Sequence, residues 1–334
     1  MGKIRSLELK KLLSCINEDP RVVIPPLPGY DAGVHLLGDK YVVVATDPCI
    51  GVPEEWFGWL LVNFAASDVA LFGSKPEFCT ITLLGPPSTE PLKFQRVMRQ
   101  VCSAAGELGM AVVRGHTGTY EGVATLVGVC TAYGIVEKDR LVTPGGARAS
   151  DLILCTKSIG LETLINFSLT RRELAKRLFG AERAKFSSMM KSESCVIEAL
   201  NLSGIEGMHA MHDATEGGLV AALNEVAEAS KLGFRIRWEN LPISFEARAL
   251  QDHFKLSDEQ LLSLSSTGTI LAAIDPAAKE KVTTALSQMG VAGSFIGEFT
   301  RDKSRILVNN TKETGFPRTA DDPYTLILSE KNRA

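Results

Sequence analysis

Four aspartates, Asp31, Asp47, Asp68 and Asp213, and two glycine-punctuated stretches, Gly115-His116-Thr117 and Thr215-Glu216-Gly217-Gly218, could do chemistry by residue type and spacing. Carboxylate oxygens suit hard cations such as magnesium, which keep phosphate oxygens in their shell. Separated aspartates therefore suit a magnesium–nucleotide complex, because carboxylates alone would repel a triphosphate. Paired glycines opening a helix expose backbone N–H groups, and the helix dipole adds a modest attraction for phosphate. Each feature also has a plainer reading. Aspartate beside glycine or proline is first a turn former, and Thr215-Glu216-Gly217-Gly218 alone is an ordinary helix start. Neither Gly-x-x-x-x-Gly-Lys-Ser/Thr nor a Gly-x-Gly-x-x-Gly fingerprint after a strand occurs.

The elements that must position these residues follow from hydrophobic period. Tyr41 to Ala45 is a short β-branched run, expected to be a strand covered on both faces. It should stop at Thr46-Asp47-Pro48, leaving a carboxylate at a strand end, where α/β proteins tend to expose ligands. A helix over Leu7 to Ile16 and the prolines 20, 25, 26 and 28 lead into Asp31. Glu54 to Phe72 reads as a helix carrying Ser67-Asp68, with Gly73 as its cap. Phe78 to Leu84 is a strand, and Leu92 to Leu108 an amphipathic helix with Phe94, Val97, Val101, Ala105 and Leu108 on one face. A short strand, Ala111 to Val113, is expected to run into Arg114 to Gly118 as a loop, before a long strand over Ala124 to Tyr133. The first half thus reads β-α-β-α-β-β, and turn residues at Thr143 to Gly146 close it.

The second half opens with a strand at Asp151 to Thr156 and mostly helical segments from Leu161 to Leu202, including Ser188 to Leu200. His212 to Leu219 leads into a helix ending near Ala229. Strands are expected at Phe234 to Trp238, Gly268 to Ile274 and Ser294 to Gly297, and a helix at Ala277 to Met289. The fold class is α/β (α+β), in two halves of similar size without a residue-level repeat. The tail from Arg301 to Ala334 holds one strand candidate, Ile306 to Val308, and is expected to be partly mobile.

Composition narrows the function classes. A chain of 334 residues calls for two domains, and 45% hydrophobic with 22% charged residues describes a globular protein. No apolar run of about 18 residues occurs, and MGKIRSLELKKLLSC scatters charges through its apolar positions. A membrane span and a signal peptide are not expected, and the expected location is cytoplasmic. A net charge of -3 with interspersed signs gives no electrostatic case for nucleic acid. Seven scattered cysteines, with no Cys-x-x-Cys pair, point to a reducing compartment and away from structural zinc. His209 and His212 fit a strand or turn better than a metal site, and Cys49 fits a small buried hydrophobe.

The order of the motifs is more specific than any one of them. Asp31-Ala32, a strand, Thr46-Asp47-Pro48, Ser67 to Pro76, Gly115-His116-Thr117 and Asp213 to Leu219 together resemble the aminoimidazole ribonucleotide synthetase (PurM-like) superfamily. Its members include HypE, thiamine-monophosphate kinase, selenophosphate synthetase and formylglycinamidine ribonucleotide synthetase. The resemblance covers roughly residues 28 to 300, with Ser266 to Thr269 and Ile296 to Glu298 fitting as well. Asp213 through Leu223-Asn224-Glu225 looks most like HypE. The resemblance implies a lead-in at 1–30, an N-terminal ATP-binding and dimerisation domain at 31–145 with a mixed sheet, a C-terminal α/β domain at 150–300, and a tail at 301–334. It implies ATP and Mg2+ as cofactors, with Asp31, Asp47 and Asp68 as metal ligands and Asp47 and Asp68 as the catalytic pair. Gly115, His116, Thr117, Asp213, Thr215, Gly217 and Gly218 would complete the nucleotide site. The implied partners are ATP, a small-molecule substrate, a second copy of the chain and a maturation protein.

Three departures bear on this. Tyr30-Asp31-Ala32-Gly33 stands where the branch commonly has Asp-Asp-Ala-Ala. His116 replaces an expected acid, and neutral imidazole is a poor magnesium ligand. HypE ends in a cysteine-bearing tail, whereas no cysteine follows Cys195 here, so the standard HypE half-reaction is not expected in cis. The leading expectation is ATP-dependent phosphorylation or activation of an oxygen on a small substrate. The alternatives are a small-molecule kinase like thiamine-monophosphate kinase and a nucleotide-binding assembly factor without turnover.

Overall fold

The computed structural model describes residue 4 and residues 6–180 and 185–329. The chain forms two compact units, Ser6–Leu141 and a second from Val142 onward. The N-terminal unit runs α1 (Ser6–Leu13), β1 (Val22–Ile24), β2 (Ala32–Leu37), β3 (Lys40–Ile50), α2 (Phe57–Leu71), β4 (Phe78–Gly85), α3 (Pro91–Leu108), β5 (Ala111–Thr119) and β6 (Val127–Val136). Its sheet has the order β1-β2-β3-β6-β4-β5, in which only β4 and β5 pair in parallel.

Glycines let α2 sit down on this sheet. A Cβ on Gly128 of β6 would lie 2.8 Å from Leu61 and 2.9 Å from Phe57, so that face of the sheet is the one α2 covers. A Cβ on Gly58 would likewise meet the Val97 carbonyl at 2.4 Å, which brings α3 against α2. Val97, Val101, Ala104 and Ala105 of α3 are buried there, as the amphipathic period predicts. Gly109, in the left-handed region at φ 68°, ends α3.

Two expectations for this unit change. In the Tyr41 strand Val43 and Ala45 are buried on one face, and on the other Val42 is buried and Val44 half-buried. The strand continues through Asp47 and Pro48 to Ile50. The reason is positional: β2 pairs with β3 only as far as Ala45, and beyond it β6 is the sole neighbour, so proline removes no bond from a central ladder. Finally, Arg114 to Gly118 is not a loop but the middle of β5, an exposed edge strand. Its partner β4 supplies the ladder that residue-level alternation cannot reveal.

The C-terminal unit runs β7 (Leu152–Thr156), α4 (Leu161–Thr170), α5 (Arg172–Phe179), a 3-10 stretch Lys185–Glu193, α6 (Val196–Ser203), β8 (Met208–Ala214), α7 (Gly218–Ala229), β9 (Gly233–Arg237), α8 (Phe245–Phe254), α9 (Asp258–Leu262), β10 (Ser266–Ile274), α10 (Lys279–Met289), β11 (Gly293–Thr300), β12 (Arg305–Asn309), β13 (Lys312–Gly315) and α11 (Tyr324–Leu328). Its sheet order is β13-β12-β9-β11-β7-β10-β8. All nine residues of β10 are buried, as expected for a strand between two neighbours and two covered faces. The expected helix at Ser188 to Leu200 is instead 3-10 structure followed by α6.

The tail is packed rather than loose. Phe316 is 3% exposed and meets Phe234 edge-on at 5.1 Å, and Ile327 is fully buried. Burial of such side chains is worth roughly 1.5–3 kcal/mol each, enough to hold a segment that its charges made look mobile. Residues 330–334, the end of the expected tail, lie outside the described residues.

Candidate functional site

In the N-terminal unit the two central aspartates share one layer. Asp47 pairs with Cys130, two residues from Gly128, so alternation along the strands turns it toward α2. The Asp47 charge adds to the Cys79 hydrogen bond and burial that hold the Cys130 thiol protonated, which places the carboxylate on that same face. Asp68 lies on the Phe57, Leu61, Ala65, Asp68 stripe of α2, at helical spacing from the residues that touch Gly128. It is 6% exposed on a helix whose other residues are nearly all apolar and buried. Asp31 precedes β2 directly and is half-buried; Tyr30 beside it packs edge-on against Phe72 at 6.4 Å. The residue in the second-acid position is thus part of the hydrophobic packing.

Asp31, Asp47 and Asp68 offer hard oxygen donors, but they do not converge on a ready cage. Among the described residues, no three potential metal-ligand groups of this unit alone lie within 4.8 Å of one another. Magnesium commonly takes one or two carboxylates and fills its shell with phosphate and water, so this spread is compatible with a metal held jointly with a nucleotide.

Gly115, His116 and Thr117 sit mid-strand on exposed β5. A Cβ on Gly115 would lie 2.5 Å from the Ile81 carbonyl, so the glycine serves the close approach of β5 to β4. His116 Nε2 lies 2.6 Å from the Tyr120 hydroxyl, and the two rings stack at 6.2 Å.

In the C-terminal unit Asp213 is the penultimate residue of β8 and 3% exposed. Its neighbour His212 reaches Glu225 of α7 at 2.7 Å, and a ring nitrogen of His212 lies within 4.8 Å of an Asp213 carboxylate oxygen. His209 binds Asp151 at 2.9 Å, which gives both histidines carboxylate partners within the fold. Thr215 begins the turn into α7, closed by the Gly218 amide on the Thr215 carbonyl at 3.0 Å. Gly217 and Gly218 have φ of 80° and 54°, and a Cβ on Gly218 would meet the Leu264 carbonyl at 2.3 Å. The glycine pair is therefore demanded by backbone conformation and packing. The Gly217 amide donates to the Asp322 carboxylate at 3.2 Å, so a tail residue supplies an anion where the sequence suggested phosphate. Ser265 also donates to Asp322, at 2.6 Å.

Sequence reasoning missed a second set of acids around the start of β10. The Glu162 carboxylate, in the first turn of α4, accepts the Thr267 hydroxyl at 2.6 Å. Burial pushes the Glu162 carboxyl up to about 7; the charges of Asp322 and Glu216 push the same way, against the Thr267 hydrogen bonds. Glu193 is 2% exposed, and burial followed by the Glu162 charge raises its carboxyl well above the usual range, with Lys157 opposing. Lys157 itself donates to the carbonyls of Ser192, Ser194 and Gly268 at 2.7, 2.9 and 2.9 Å and pairs with Glu198 at 2.9 Å. The one sequence signal was local: a glutamate after Gly160 at a helix start, which looks like ordinary capping chemistry.

Two mixed-sheet α/β units, one carrying carboxylates between helix and sheet and the other a glycine-initiated helix after a strand-end aspartate, define a PurM-like architecture. The AIR synthase related protein N-terminal domain matches residues 29–136 and the corresponding C-terminal domain residues 148–309. The chain belongs to the AIR synthase related protein family. Similar relatives include carbamoyl dehydratase HypE of Rhizobium leguminosarum, 26% identical over 82% of this chain and 78% of that protein. Selenide, water dikinase of Myxococcus xanthus is 25% identical over 91% and 93%. Among solved structures, HypE in complex with ATP superposes with a TM-score of 0.72, at 19% identity over 95% of this chain and 96% of that one. The HypE–HypF complex gives 0.72 at 18% identity over 96% and 100%. A ThiL structure with AMPPCP and TMP gives 0.69 at 18% identity over 92% and 94%. At these identities the structures establish the fold.

Proposed function

We propose that the chain binds magnesium-ATP and uses it to phosphorylate or otherwise activate an oxygen on a small substrate. The carrying observation is Asp68, the one charged residue of a buried and mostly apolar helix, 6% exposed on the face that packs against the strand bearing Asp47. Ionised groups are expensive in such a layer, and their retention is a mark of function. Magnesium, when bound, would neutralise phosphate charge. Asp47 and Asp68, with Asp31, would hold it, and the turn from Asp213 to Gly218 would orient the phosphates. Phosphoryl transfer asks for positioning and charge neutralisation more than for a protein nucleophile. The solved relatives in complex with ATP or AMPPCP support the nucleotide.

A homodimer is part of this reading, supported by the face of the N-terminal sheet opposite α2, where Ile50, Phe78 and Ile135 are 54%, 38% and 40% exposed. A maturation protein is the further partner suggested by the HypE–HypF complex. The reading of a nucleotide-binding assembly factor without turnover is favoured by one observation, His116 engaged with Tyr120 in place of an acid. The test is magnesium-dependent ATP hydrolysis in wild type, Asp47→Asn and Asp68→Asn. Hydrolysis lost in both variants supports the enzyme; tight ATP binding without turnover across a panel of small hydroxyl- and carboxylate-bearing substrates overturns it in favour of the assembly factor.

A further inference from the structure

We propose that Glu162, Glu193 and Thr267 of the C-terminal unit form a binding site for a hard divalent cation, a second metal site independent of the aspartates of the N-terminal unit. The three residues come from separate elements and are brought together at the start of β10. Gly268, at φ 86°, makes this possible: a Cβ there would lie 2.4 Å from the Ser192 carbonyl and 2.8 Å from the Glu193 Cα. The Glu193 backbone is therefore laid directly over Gly268, while the preceding residue, Thr267, gives its hydroxyl to Glu162 at 2.6 Å. The two glutamates thus approach the same two residues of β10 from the 3-10 stretch and from α4.

Asp322 and Glu216 add to the negative field at Glu162, and Lys157, a nearby cation, donates to three carbonyls and pairs with Glu198. Glu193 supplies the second, independent observation. Its Oε1 is sealed from solvent and has no hydrogen-bond partner, whereas buried polar groups generally have one. The 3-10 stretch bearing Glu193 packs against α4, which bears Glu162, and the Glu162 charge is felt at Glu193. Two carboxylates and a hydroxyl, all oxygen, select a hard cation over zinc or copper, and leave room for water in its shell.

The site carries its own reporter. Tyr324 feels both Glu162 and Glu193, and burial together with their charges pushes its phenol upward, so it stands within the same cluster. Terbium, a luminescent probe for hard-oxygen sites, should therefore give saturable tyrosine-sensitised emission with the full-length protein in the absence of nucleotide. Calcium should displace it. Glu162→Gln and Glu193→Gln keep side-chain volume and remove buried charge, so neither threatens the fold, and each should weaken terbium binding about tenfold or more. Tyr324→Phe should lose the emission while calorimetry still detects terbium, and the Asp47→Asn/Asp68→Asn double variant should leave the emission intact. Identical titrations in wild type, Glu162→Gln and Glu193→Gln would overturn the proposal. So would the absence of saturable binding in wild type, or a signal abolished only by the Asp47 and Asp68 substitutions.

Discussion

Replacing Glu162 by glutamine should stabilise the C-terminal unit at alkaline pH and do far less at acid pH. The native Glu162 carboxyl is held at about 7, against an ordinary value of 4.5. Raised above its unfolded value, the group binds a proton in the native state that the unfolded chain has released. Stability therefore falls as pH rises from the unfolded value through about 7, and the loss is complete above it. Between pH 5 and 8.5 this amounts to about 2.5 kcal/mol, reduced to about 2 kcal/mol because water reaches the half-buried side chain. Glutamine retains an acceptor for Thr267, so the hydrogen bond at 2.6 Å persists in neutral form. The assay is urea unfolding in EDTA, followed by Trp238, the tryptophan of the C-terminal unit, in a background with Trp56 and Trp59 changed to phenylalanine. The quantity read is the stability difference between Glu162→Gln and its parent at the two pH values, which cancels the titrating groups that do not feel Glu162. A difference that does not change between pH 5 and 8.5, or that grows toward acid, refutes the reasoning.

Gly218→Ala should cost about 1–3 kcal/mol of unfolding free energy in denaturant melts, since it combines a φ of 54° with a Cβ 2.3 Å from the Leu264 carbonyl. Phe316→Ala should cost roughly 3–5 kcal/mol and raise hydrogen exchange across the tail, because it empties the ring's contact with Phe234. His116→Asp should increase magnesium affinity, measured by calorimetry in the presence of ATP; unchanged affinity would mean that this edge strand does not reach the metal. Asp68→Asn should lower magnesium-dependent ATP hydrolysis at least about a hundredfold while leaving the unit folded by circular dichroism, in line with the loss of a charge-stabilising group.

The helices of the N-terminal unit were legible because their apolar period is long and clean. Val97, Val101 and Ala105 face the core as the spacing requires. What sequence could not convey was pairing. Pro48 looked like a stop only because nothing local says that β2 ends at Ala45 while β6 continues to Ile50. Gly115 and its neighbours looked like a loop because the carbonyl that demands the glycine, Ile81, belongs to another strand. The turn at Gly217-Gly218 was visible, but its carboxylate partner lies more than a hundred residues away at Asp322. Glu162 and Glu193 were invisible for the same reason: each is unremarkable in its own helix or turn and becomes a chemical group only when Gly268 brings them together.

The position of β7 also governs how the C-terminal unit can be assembled in time. Cys155 of β7 pairs with Leu271 of β10 and Ser294 of β11, residues 116 and 139 positions later. Both ladder partners of this first strand must be recruited across large chain loops before any central hydrogen bond is rewarded. Until then Leu152 to Cys155 remain an apolar strand with two open edges. Refolding should be slow and increasingly lossy as protein concentration rises, since another chain can offer an edge sooner than the protein's own downstream strands.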